Sequence, residues 1–341
     1  MTDRRNVDPT LGILEGEGAA QRAAEADERV PFTVWAETPG RGPAAGATYY
    51  DRPAIKEPVW IWSVPAYFYA GGMAGAAATL GMVAQGDQEL RGLVRRSRWL
   101  ATIGLAASGA FLVHDLGRPE RFLNMLRVFR PTSPMSMGSW ALAAAGPLAG
   151  ASAVFSGGPL RAAGDMAGVG AGLIGPALSS YTGVLLSNTS VPVWAAARRS
   201  LPVLFASSSA ASAASLLELV QLSRREERVV RRFGILGKVA ELTGMVAVER
   251  ETGRTERVGR PLREGLGGSL WRAAKVLTAA SLLLSAMPGR SRGRRTASGL
   301  LGTAGAVSLR LALFHAGKAS ARDPRATFEQ QRGGERATKP S

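Results

Sequence analysis

The sequence contains no cysteine and only two histidines, His114 and His315, in 341 residues. The first absence excludes disulfides, thiolate metal sites, iron–sulfur ligation and a cysteine nucleophile. The second leaves too few imidazoles for an ordinary zinc site, so no metal is expected in this chain. Any redox centre it serves is an organic cofactor, a haem held between the two histidines, or a cluster carried by a partner. Acidic residues are also scarce, 26 Asp and Glu against 42 Lys and Arg, for a formal net charge of +16. Such an excess raises nucleic acid as a partner. The arginines, however, sit in short clusters between apolar segments, which is the pattern of loops at a membrane surface, and no nucleic-acid partner is expected.

Charge is missing altogether from three long stretches, Val59–Gln85, Pro131–Leu160 and Met166–Ala197. A soluble domain seldom carries three such runs. The near-zero mean hydropathy, +0.03, therefore averages unlike parts. Residues 1–58 carry a net charge of −3, residues 59–317 carry +16 and residues 318–341 carry +3. The first segment is rich in Gly, Ala, Pro and charge without sustained periodicity and reads as a flexible hydrophilic N-terminal tail; the last reads as a hydrophilic C-terminal tail. Arg4-Arg5 resembles a twin-arginine pair, but no apolar stretch follows within twenty residues, so the first membrane helix is expected to direct insertion.

Eight candidate spans follow, at about 59–84, 98–116, 138–156, 166–190, 201–222, 233–248, 268–287 and 298–316. A crossing helix needs about 20 apolar residues, less where it tilts or its flanking side chains snorkel. The expected fold is thus all-α, a polytopic transmembrane helix bundle of about eight spans in the cell membrane, in contact with lipid. The sixth segment is the weakest, being short and containing Lys238 and Glu241, which share a helix face and could pair. Lys and Arg are too evenly divided between the two sets of loops to orient the bundle. Gly170, Gly172 and Gly175 match a dinucleotide fingerprint, but they lie in the middle of an uncharged run with no strand before them, so the match is discounted.

The most informative stretch joins the second and third spans. It reads His114-Asp115-Leu-Gly-Arg118-Pro119-Glu-Arg121-Phe122 and continues to Ser133-Pro134-Met135-Ser136-Met-Gly138-Ser139-Trp140. An acid at the membrane end of a helix, followed by arginines, makes a partly buried ion pair or a proton entry point; the plainer alternative is a loop pinned by surface salt bridges. This order of D-L-G-R-P-x-R-F and S-P-M-S-x-G-S-W resembles the signature of the NrfD/PsrC-type family, integral membrane subunits of polysulfide reductase and related molybdenum or tungsten oxidoreductases. Trp60–Gly75 is similar to that family's first helix, Tyr181–Trp194 to its fourth, and Leu309-Arg310 with His315-Ala-Gly317 to its last. The resemblance covers about 59–320.

What the resemblance implies is a haem-free anchor that docks an iron–sulfur, ferredoxin-like subunit and exchanges electrons between its clusters and membrane quinone, menaquinone or ubiquinone, alongside a molybdopterin catalytic subunit. Some members are thought to couple this to proton movement. A quinone site needs an apolar slot, donors for two carbonyl oxygens and a proton route. Tyr67, His114, Asp115, Arg118, Arg121, Tyr181, Glu218, Glu241 and Arg310 are candidates for quinone binding or proton transfer. Pro119, Phe122, Ser133, Pro134, Met135 and Ser136 are candidates for partner docking. Each has a plain structural alternative: Tyr67 as an interfacial aromatic, Tyr181 as a hydroxyl satisfied within the bundle, and the Ser208, Ser212, Ser215 and Glu218 stripe as a packing seam. Arg310 is costly in lipid unless it pairs, with Asp115 and Glu241 as the candidate partners. His114 and His315 fall on one side of the membrane, so a bis-histidine haem is conceivable, but both lie at the interface and none is expected. A secondary transporter built on Lys238, Glu241 and Arg310, or a passive anchor without quinone chemistry, are the competing functions.

Overall fold

A computed structural model describes residues 55–117, 120–288 and 291–329, the side chains of residues 121–123 excepted, together with a two-residue antiparallel ladder in which Val7 pairs with Leu14 and Asp8 with Ile13. All other regular structure is helical. The helices are α1 (Ser63–Ala84), α2 (Arg91–Leu116), α3 (Glu120–Met125), α4 (Pro134–Val154), α5 (Arg161–Ser187), α6 (Pro192–Ala196), α7 (Ser200–Glu218), α8 (Arg224–Thr252), α9 (Glu256–Gly259), α10 (Gly265–Ala286) and α11 (Arg292–Ala321).

Eight of these are long, 19 to 30 residues, and each expected span falls on one of them. At 1.5 Å per residue even α7 extends about 28 Å, close to the hydrocarbon thickness of a bilayer. Four are also apolar enough to cross by composition: α2 with the 3-10 turn before it, α5, α7 and α11. The chain is therefore a multi-pass helical membrane protein, with four clear spans among its eight long helices. The other four fall short for two reasons. In α1 and α4 the small residues Gly, Ser and Pro dilute the hydropathy, whereas α8 and α10 carry charged side chains such as Lys238, Glu241, Arg272 and Lys275.

Local signals mark the helix ends. Ser133 caps α4, its Oγ accepting from the Ser136 amide, and Pro134 occupies the first turn where its missing N–H costs nothing. Ser223 and Glu226 form a reciprocal capping box at the start of α8, which begins nine residues before the expected segment and runs past its end. Gly117, at φ +68°, closes α2 in the left-handed conformation that glycine adopts freely.

The long helices form two rings of four. In the first, α1 packs on α2 and α5, and α4 closes the ring by packing on both; in the second, α7 and α10 each pack on α8 and α11. Contacts of α1 with α7 and α11, and of α5 with α7, join the rings. The ring holding α1 and α5 is tightest where Gly75 and Gly175 bring the two backbones into contact, leaving no room for a Cβ at either position. Thr79 on α1 ties this crossing by donating to Gly172 O at 3.1 Å. The discounted fingerprint glycines thus lie inside α5, where they permit close helix packing.

The face on which α1 begins, here the proximal face, is braced by aromatics. Trp194 of α6 is fully buried, donates Nε1–H to Leu313 O at 2.9 Å, and stacks on Trp60 with centroids 5.6 Å apart. Glu57 then pairs with Arg322 at 2.6 Å and Lys318 at 3.6 Å, tying the approach to α1 to the end of α11.

Candidate functional site

The candidate residues divide among three places. The first is in the α1–α5 ring, near the proximal face. Tyr67 of α1 and Tyr181 of α5 bring their hydroxyls close together; Tyr67 is buried and Tyr181 half-buried. The Tyr181 ring lies over Gly138 of α4, filling the space a Cβ would take. The S-P-M-S-x-G-S-W motif therefore contributes a glycine that seats a phenol from another helix. Two neighbouring phenols present O–H donors, the chemistry a carbonyl oxygen requires.

The second place is the junction of α2 with α1. Asp115 accepts from Ser63 Oγ at 3.5 Å and faces the backbone N–H of Ile61, so the end of α2 holds the start of α1. His114 packs against Trp62, ring centroids 5.5 Å apart. Arg118 and Pro119 lie outside the described residues, as do the side chains of Arg121 and Phe122, whose backbone belongs to α3. In the following loop the serine hydroxyls are used internally. Ser136 Oγ accepts from the Arg130 amide at 3.0 Å and donates to Val128 O at 3.0 Å, while Ser133 caps α4. Their effect is to hold Phe129 and Met135 outward, each more than half exposed. Pro134 contributes only the start of α4.

The third place is the interior of the second ring, where ionisable groups from three helices line up. Glu218 at the end of α7 pairs with Lys238 of α8 at 3.4 Å. Lys238 Nζ also donates to Ser285 of α10 at 2.9 Å and Ser298 of α11 at 3.2 Å. One helical turn on, Glu241 accepts from Ser208 Oγ at 2.8 Å, and Ser208 in turn meets Arg310 Nη1. Arg310 lies 5.2 Å from the centroid of the Phe205 ring, whose electron-rich face offsets part of its desolvation. Lys238 is 0% and Arg310 1% exposed. Two acids and two bases are neutral as a set, which is how such a group survives burial. Arg310 Nε and Nη2, Tyr69 Oη and Thr303 Oγ1 are buried there without a well-aligned hydrogen-bond partner. A cavity of about 40 Å³ on the distal side is lined by Arg295 and by Glu218, Ser285 and Ser298, the three partners of Lys238. It has room for about three waters, too little for a quinone ring.

These geometries refine the expected pairings. Lys238 finds its acid on α7 rather than in Glu241, its neighbour three residues along α8. Arg310 reaches Glu241 through Ser208, and Asp115 is engaged elsewhere. The partners Ser285 and Ser298 carried no signal beyond being small residues in apolar helices. The two histidines belong to different rings, His315 packing edge-on against Phe314. The chain lacks cysteine, and among the described residues no group of three or more His, Asp or Glu is placed to hold a metal.

Residues 53–154 match the family described as Polysulphide reductase, NrfD. That region runs from before α1 to the last residue of α4, and so includes Tyr67, the His114–Arg121 motif, the docking-loop serines and Gly138. No curated protein matches the chain. The family match supports a general role as a membrane anchor in electron transfer, of the kind filled by non-catalytic membrane subunits.

Proposed function

We propose that the chain is the quinone-reactive membrane subunit of a multi-subunit molybdenum or tungsten oxidoreductase. It exchanges electrons between a partner iron–sulfur subunit and menaquinone or ubiquinone in the cell membrane, and all eight long helices span the bilayer. The single observation that carries this reading is the approach of Tyr67, buried on a helix of the matched region, to Tyr181 on the helix that follows it. Reduction of a quinone to its quinol takes up two electrons and two protons. Clusters on a partner chain supply the electrons, consistent with the lack of cysteine here. The phenols donate a hydrogen bond to one carbonyl oxygen and stabilise the charge that develops on it. Asp115, at the same face, serves proton exchange with water. The exposed Phe129 and Met135, held out by Ser133 and Ser136, form part of the partner-docking surface, and residues 1–58 and 318–341 flank the membrane domain as hydrophilic tails.

The test is quinone turnover by the purified complex. Tyr67→Phe should lower it while the complex assembles normally; unchanged turnover would remove the phenol from the reaction and favour a passive anchor.

A second reading rests on the Glu218–Lys238 and Glu241–Ser208–Arg310 groups, an ionisable line through the second ring. In an electron-transfer subunit it is a proton route from the distal face toward the membrane interior. In a secondary transporter it would be the substrate path. Solute uptake by the isolated chain in liposomes, with no partner present, would select the transporter.

A further inference from the structure

At the distal face of the first ring, the start of α2, the start of α5 and the residue after α1 converge on a cavity of about 80 Å³. It is lined by Gln85, Arg91, Arg95, Arg98, Arg161 and Asp165, among others. Four cations face one carboxylate. Asp165 is already engaged, accepting from Arg98 Nη2 at 2.6 Å and lying 3.5 Å from Arg161 Nε. Neither Arg91 nor Arg95 has an ion-pair partner among the described residues.

Arg98 shows that this is a built site rather than a fringe of surface arginines. It is only 4% exposed, its Nη1 donates to Ser152 O at 3.2 Å, and its Nε is buried without a partner. Gly168 of α5 makes room for it, since a Cβ there would press on both the Arg98 guanidinium and the Gln85 amide. Uncompensated positive charge around a cavity that holds about five waters fits a tetrahedral oxyanion of five heavy atoms.

The surroundings identify the source. Trp99, next to Arg98, is an exposed indole of the kind enriched at lipid headgroup depth. Val83, Val154 and Met166, each within two residues of a lining residue, project 66–76% exposed apolar surface. The mouth of the cavity thus lies where lipid-facing side chains give way to arginines, the depth of phospholipid phosphates. We infer that this cavity binds the phosphate group of an anionic phospholipid.

The experiment compares binding of phosphatidylglycerol, phosphatidylcholine and inorganic phosphate to the full-length chain solubilised in an uncharged detergent. Phosphatidylglycerol should bind tightest, and the double variant Arg91→Ala/Arg95→Ala should weaken it about tenfold or more. Arg91→Lys/Arg95→Lys, which keeps both charges, should retain most of the affinity. Both variants alter exposed side chains, and an unchanged melting temperature confirms the fold. Equal affinity for the two lipids, or no change in the alanine variant, would overturn the proposal. Inorganic phosphate bound as tightly as phosphatidylglycerol would overturn the lipid as its source.

Discussion

Glu241 and Arg310, on α8 and α11, meet through a single hydroxyl: Ser208 of α7 donates to the Glu241 carboxylate at 2.8 Å and receives the Arg310 guanidinium on its other side. The acid and the base are thereby held on one serine inside an apolar ring. Ser208→Ala removes the shared hydroxyl and leaves a buried carboxylate without its donor. The expected loss is about 1–3 kcal/mol in stability, read from unfolding of the purified chain in detergent. Ser212→Ala provides the comparison, because Ser212 Oγ bonds only to the Ser208 carbonyl of its own helix; it should cost clearly less.

The Glu218–Lys238 pair predicts strong non-additivity. Lys238→Met leaves Glu218 with the Ser285 hydroxyl at 3.4 Å as its side-chain partner among the described residues, and Glu218→Gln strips Lys238 of its acid. Breaking a buried pair from one side costs about 3–5 kcal/mol, whereas replacing both partners is far cheaper. In a double-mutant cycle on detergent-solubilised protein, the double variant should therefore be more stable than the sum of the single losses implies. Simple additivity would show that the two groups do not interact.

Much of the helical layout is legible in the chain because the absence of charge over 27 to 32 residues has one inexpensive outcome in a membrane, a helix. Helix α8 is legible only in part: its segment 233–248 is the weakest of the eight candidates, and the Ser223–Glu226 capping box starts the helix nine residues before that segment. Pairings between helices are another matter. Arg98, at the edge of an apolar segment, reads as a side chain reaching outward to the interface. It turns inward because Asp165, 67 positions along the chain, is brought beside it by α5. Lys238 likewise has a local candidate in Glu241, and Glu218 takes it because the end of α7 packs beside the middle of α8. Local spacing gives the set of reachable partners on one helix; only tertiary packing decides among helices.

Asp115 separates a structural role from a chemical one. Asparagine retains a carbonyl oxygen that can accept from the Ile61 amide and the Ser63 hydroxyl, so Asp115→Asn should leave the melting temperature of the complex nearly unchanged, whereas Asp115→Ala should lower it through loss of the hold on α1. If the carboxyl also exchanges protons for quinone chemistry, Asp115→Asn lowers turnover despite its intact fold. A variant with full turnover and full stability would assign Asp115 to pinning the junction alone.

Gly138 tests the seating of the phenol pair from the opposite side. A methyl group at that position would coincide with the Tyr181 ring, so Gly138→Ala forces the ring away or pushes α4 from α5. The expected cost is about 1–3 kcal/mol of stability. On the proposed chemistry the displaced hydroxyl also leaves Tyr67, so turnover should fall toward that of Tyr181→Phe. Adding Tyr181→Phe to Gly138→Ala should then cost little further turnover, because the hydroxyl is already out of place. Combining Gly138→Ala with Tyr181→Ala should relieve the overlap and recover stability without recovering turnover. Recovery of both would mean that the Tyr181 hydroxyl plays no part in the reaction and that its ring only fills the space above Gly138.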